Sequence, residues 1–105
     1  MEVNEKDWKL FRSKLPEWQN NHIAQLNQSY IELLKDDSRE PSEKFWKLER
    51  KINSDKRHSG VCAEVKRSNM FRTLLSLLDD GVICFDDLNE FSSDTKDRFA
   101  FFSKI

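Results

Sequence analysis

The chain has 105 residues, 37 % apolar, 35 % charged and 11 % aromatic, with a formal net charge of −1. That length fits one domain, residues 1–105, which buries roughly two-thirds of its unfolded surface without needing a metal or a disulfide. The aromatic load excludes a disordered chain, two Gly and two Pro exclude a turn-rich all-β fold, and near-neutrality excludes a global field that draws in nucleic acid or membrane.

Asn4 is placed to cap a first helix, with Glu5 and Asp7 in its first turn. Trp8, Phe11, Leu15, Trp18, His22, Leu26, Tyr30 and Leu33 follow at steps of three or four, one face of a helix. Pro16 lies off that stripe, and the stripe keeps phase across it. The spacing therefore predicts a bent, near-continuous helix over about 4–35. "KDDSREPSEK" breaks the pattern, and a second helix is predicted from Pro41 to about Lys56 with Phe45, Leu48 and Ile52 on its apolar face. After "HSG", Val61, Val65, Phe71, Leu74, Leu75 and Leu78 predict a third helix that ends at Gly81. Two short helices, about 85–91 and 94–103, complete the chain. Ser92 or Ser93 caps the last, and Phe85, Leu88, Phe91, Phe99 and Phe102 form their buried side. The fold class expected is all-α: a compact helical bundle of three main helices and two short C-terminal ones.

The segment "LLDDGVICFDDLNEF" resembles the back half of a calcium-binding loop. With Gly81 in the glycine slot of such a loop, the first ligand position is Ser76 and the third is Leu78, which has no side-chain oxygen. The better reading is a corner between helices. Gly81 is the structural helix cap in the left-handed conformation, and Asp86 and Asp87 sit in the first turn of the next helix. No metal site is expected here.

Other chemistry is thin. His58 and Cys62 stand four apart with Gly60 between them, and no third ligand or orienting acid is close in sequence. His22 reads as a boundary residue with a polar partner. Gly60 and Gly81 cannot build a phosphate loop. No catalytic residue and no cofactor are expected, so the chain reads as a non-enzyme. Cys62 and Cys84 form no CxxC pattern, which suits a reducing cytosol. No apolar run approaches the ~20 residues of a membrane span, and the N-terminal segment carries acids where a signal peptide carries positive charge. A soluble cytoplasmic protein with no membrane partner is expected.

Charge is unevenly placed. Residues 44–78 hold nine bases against three acids, net +6, and residues 79–105 hold three bases against seven acids, net −4. Lys44, Lys47, Arg50, Lys51, Lys56, Arg57, Lys66 and Arg67 make up a candidate basic surface. It reads either as the solvated face of an amphipathic helix or as a contact for phosphate or an acidic partner.

"EKDWKLFRSKLPEWQ" at 5–19, "YIELL" at 30–34, "EKFWKLE" at 43–49, "KRSNM" at 66–70 and "LLDDGV" at 77–82 carry a resemblance. The chain resembles a family of small uncharacterised helical proteins of Gram-positive bacteria, some of which carry an automatic label as multidrug transporters. The absence of a membrane-spanning run contradicts that label. The resemblance implies a small helical cytosolic protein and transfers no functional residue.

The function expected is a non-enzymatic protein-interaction module, a homodimer in its simplest form, with self or another protein as partner. The candidate interface is the aromatic stripe Trp8, Phe11, Leu15 and Trp18, since aromatic residues are enriched at interfaces. The alternative is a nucleic-acid-associated regulator that uses the basic region 44–72.

Overall fold

A computed structural model describes residues 3–103. It is 77 % helical, with no strand among the described residues, so the chain is all-α. Five α-helices run in chain order: α1 Glu5–Lys35, α2 Pro41–Asp55, α3 Ser59–Cys62, α4 Met70–Asp79 and α5 Ser93–Ser103. Single 3-10 turns lie at Arg67–Asn69 and Phe85–Leu88.

α1 is unbroken for 31 residues and contains Pro16. Asn4 caps it: its side-chain oxygen accepts from the N–H of Lys6 at 2.8 Å and of Asp7 at 3.3 Å. Pro41 opens α2 at a position where a missing N–H costs nothing. The five-residue connection folds α2 back along α1. Lys44 Nζ donates to the Leu34 carbonyl, the Tyr30 hydroxyl donates to Asp55, and the His22 ring stacks on that of His58. Those three contacts run in opposite senses along the two helices, so the pair is antiparallel.

The third predicted helix is corrected. Residues 63–66 lie outside any helix, with a tight turn closed by the Lys66 N–H on the Glu64 carbonyl at 3.0 Å, and split it into α3, a 3-10 turn and α4. The cause lies far away in sequence. The Gln19 side-chain amide donates to the carbonyls of Val61 at 3.2 Å and Ala63 at 2.7 Å, satisfying acceptors that a continuous helix would have used.

The compact bundle is corrected as well. The radius of gyration is 17.0 Å and the extents are 53 × 25 × 19 Å. A compact domain of this length has a radius of gyration of about 13 Å. Every residue of the apolar core comes from one end: Phe11, Leu15 and Trp18 of α1, Met70, Leu74 and Leu77 of α4, then Ile83, Leu88, Phe91 and Phe99. α2 contributes no buried residue. The molecule is a globular head carrying a two-helix arm, made of α1 beyond about residue 20 and the whole of α2.

Two joints fasten the head. Asp7 is fully buried, and its carboxylate accepts from the Ser92 N–H (2.8 Å), the Ser92 hydroxyl (2.7 Å) and the Thr95 hydroxyl (2.6 Å). It thus ties the start of α1 to the start of α5, where Ser92 also accepts from the Thr95 N–H. Phe71 stacks on Phe99 at 4.7 Å, and the Arg98 guanidinium lies 3.8 Å from the Phe71 ring centroid. Phe85 and Phe102, predicted as buried, are exposed.

Gly81 has φ 76° and ends α4. The Val82 N–H reaches back to the Leu77 carbonyl at 2.9 Å, which turns the chain so that Ile83 enters the core. Asp87 is a local cap, accepting from the Cys84 N–H at 2.8 Å. Among the described residues no group of three or more His, Cys, Asp or Glu is disposed to hold a metal ion. No helix among them is long and apolar enough to cross a membrane.

Candidate interaction surface

The expected interface does not lie on the surface. Phe11 and Leu15 are 0 % exposed, Trp18 is buried, and Trp8 packs against the same core beneath Arg12 and Arg67. The stripe is consumed by the chain's own head, because α4 and α5 fold back over the first half of α1. This corrects the assignment of Trp8, Phe11, Leu15 and Trp18 to a projecting surface.

Large apolar groups stand in water at both ends: Val65, Phe85, Phe101 and Phe102 on the head, and a cluster on the arm. On α2, Phe45 is 62 % exposed and Trp46 53 %, with their rings edge to face at 4.9 Å. Ile52 of the same helix is exposed, as are Ile31 and Leu34 of α1. The reason is rotational. The half-buried side of α2 carries Lys44, Lys47, Leu48, Lys51 and Asp55. Phe45 follows Lys44 and Ile52 follows Lys51, so each sits about 100° round from that side. The lysine stems lie along α1 while the larger apolar groups face water, the reverse of the usual amphipathic arrangement.

A second signal sits on α1. Residues 18–31 are fourteen consecutive positions without Asp, Glu, Lys or Arg, in a chain that is 35 % charged. The exposed ones include Asn20, Asn21, Ala24, Gln25, Asn27 and Gln28. Depletion of charge distinguishes the centre of an interface from ordinary surface. The gap was readable in the sequence, but the 3.6-residue stripe drew attention to apolar positions and away from the residues between them.

The basic residues do not form one surface. Lys66 pairs with Glu64, and Arg67 pairs with Glu5 and covers Trp8, so both belong to the head. Lys44 is engaged with the Leu34 carbonyl. Lys47, Arg50, Lys51, Lys56 and Arg57 lie along α2 and just beyond it, with no ion pair among the described residues. Lys47 and Arg50 join Arg39, Ser42, Glu43 and Trp46 around a shallow groove of about 300 Å³. Arg39 there is held by Asp36 at 3.2 Å and Glu43 at 3.8 Å.

Where the arm leaves the head, His22 and His58 stack with centroids 4.6 Å apart and planes 14° from parallel. His58 Nδ1 accepts from the Gly60 N–H at 3.1 Å. His22 Nε2 is buried and has no hydrogen-bond partner among the described residues. Burial, and then the neighbouring His58, hold the His22 imidazole below its ordinary pKa. His58 is half-buried by the stack, and the nearby Cys62 is exposed with a free thiol. Gly60 is required here, since a Cβ would stand 2.5 Å from Cδ2 of His22. Further along the arm, the Tyr30 hydroxyl donates to Asp55 at 2.5 Å, and burial and that carboxylate push the phenol up to about 12.

Compared with protein-family models, curated proteins and solved structures, the chain matches none of them.

Proposed function

We propose that the chain is a non-enzymatic protein-interaction module that docks through its arm and works in a reducing, cytoplasmic setting. The observation that supports this is α2, a 15-residue helix with no buried residue that holds Phe45 and Trp46 in water. An isolated helix of that length is marginal by itself, and its ordering is favoured by whatever covers its apolar groups. Clustered exposed apolar groups of this kind mark binding surfaces on water-facing proteins. The two exposed free thiols, Cys62 and Cys84, suit a compartment that keeps them reduced.

The double variant Phe45→Ser, Trp46→Ser tests the reading. If the arm serves docking, the variant keeps the melting temperature of the head and binds much less of an environment-sensitive apolar dye than the parent at low protein concentration. If it melts as a core variant does, Phe45 and Trp46 serve folding and the reading fails.

One observation favours a nucleic-acid reading: Trp46 in a groove flanked by Lys47 and Arg50 combines a stacking ring with cations, as single-strand binders do. Anisotropy of labelled single-stranded and duplex oligonucleotides at low salt separates the two. Salt-sensitive binding lost in Lys47→Glu, Arg50→Glu supports the nucleic-acid reading, and no binding removes it.

A further inference from the structure

We infer that the arm's occupant is a second copy of this chain, whose own arm completes a four-helix bundle around the exposed apolar rows. This rests on the arm being the docking surface. The first ground is rotational geometry. On α1, the half-buried positions Leu26, Ser29 and Leu33 face α2, and the exposed Leu34 follows Leu33 by one residue. On α2, the exposed Phe45 and Ile52 each follow a half-buried lysine by one residue. Each step turns about 100° in the same sense about its own helix. Because the helices are antiparallel, the same sense of turn carries Leu34, Phe45 and Ile52 to one side of the arm. The arm therefore has an apolar side of Leu34, Phe45 and Ile52, next to the side that carries the Trp46 groove with Glu43, Lys47 and Arg50.

Two antiparallel helices with one shared apolar side are half of a four-helix bundle. The missing half has the shape of the arm itself, which a two-fold axis supplies from a second chain by matching one patch to itself.

Charge favours the same occupant. A charged face repels its own copy, but residues 18–31 hold no charge to repel. Size bounds the contact. Fifteen residues give a helix of about 22 Å, and two helices side by side are about 20 Å wide, a projected footprint of about 440 Å². That is the small, concentration-dependent end of specific interfaces, against ~800 Å² per partner for a standard one.

The test is light scattering across a range of concentrations, combined with hydrogen exchange of α2 and dye binding. The parent is expected at twice the chain mass with α2 amides protected. Because Leu34 and Phe45 are exposed in the single chain, Leu34→Glu or Phe45→Glu keeps helicity and raises the dimer dissociation constant on the order of a hundredfold. A parent that stays monomeric at high concentration, with α2 exchanging fast and binding dye, overturns the second-copy inference but leaves the docking surface standing. A monomer with α2 protected and dye-silent overturns both. A dimer indifferent to Leu34→Glu and Phe45→Glu overturns the geometry argued here.

Discussion

The two halves of α1 carry the same apolar spacing and meet different fates. In the first half, Phe11, Leu15 and Trp18 are buried by α4 and α5, while the outward positions Lys6, Lys9, Arg12 and Glu17 are charged. In the second half, Leu26, Tyr30 and Leu33 continue the stripe but are only half-buried, and the outward positions from Asn20 to Gln28 are amides and alanine, with charge returning at Glu32 and Lys35. Apolar spacing thus reports that a segment is helical, and says nothing about what covers it. The residues between the stripe positions report which sides meet water. By that measure the first half of α1 has its apolar side covered by its own chain, and the second half leaves its apolar side partly open.

Matched truncations sharpen this contrast most strongly. Leu74 is 0 % exposed in the head, so Leu74→Ala removes atoms from a closed core and is expected to cost about 3 kcal/mol. Phe45→Ala, which deletes a larger side chain from the arm, is expected to change stability by about 0.5 kcal/mol or less at concentrations too low for association. Denaturant melts of both variants, at dilute and at concentrated protein, give the answer. At high concentration Phe45→Ala is expected to lose the extra stability that association confers on the parent. Equal costs for the two variants in dilute solution would mean that the arm is part of the folding core.

The joint between head and arm is next in size. Gly60→Ala drives a methyl group against the His22 ring and is expected to cost roughly 1–3 kcal/mol. The far end of a side chain can move, but His22 is held by its stack on His58, so relief is limited. In His22→Ala the obstruction is gone, and adding Gly60→Ala is then expected to cost well under half as much. A double-mutant cycle on melting free energies reads that coupling directly. Additive costs would show that Gly60 is there for some reason other than the ring.

The sequence made the first two helices legible because each has a local cause. Asn4 caps α1, the stripe runs in phase through Pro16, and Pro41 opens α2. Gly81 and Ser92 are local signals of the same kind, since a backbone bend and a helix cap are each decided within a few residues. The break at 63–66 was not legible, because the Gln19 amide that stabilises it stands 42 and 44 residues from the carbonyls it holds. The buried role of Asp7 was hidden for the same reason: its partners Ser92 and Thr95 lie 85 and 88 residues away. Placing the free surface at the wrong end had another cause. It rested on aromatic residues alone, and tryptophan and phenylalanine dominate cores and interfaces alike. The charge gap at 18–31 separates those cases and is a property of the sequence alone.

The smallest effect probes how the arm holds itself together before any partner arrives. Tyr30 is the chain's one tyrosine, so its phenolate absorbance can be followed without interference from another phenol. Burial, then its hydrogen bond to Asp55 and that carboxylate's charge, raise its pKa to about 12 from an ordinary value of 10. The folded arm therefore keeps the proton more tightly than the unfolded chain does. By linkage, the stabilisation is fully present below pH 10 and is lost as pH rises from about 10 to about 12. The native titration midpoint is expected near 12, and near 10 in denaturant. Asp55→Asn removes the charge but leaves an acceptor, so its midpoint is expected between the two. Tyr30→Phe is expected to flatten the alkaline fall in stability that the parent shows over that window. A native midpoint of 10 would mean that Tyr30 and Asp55 do not hold α1 against α2 in solution, and that the arm's two helices stay together for another reason.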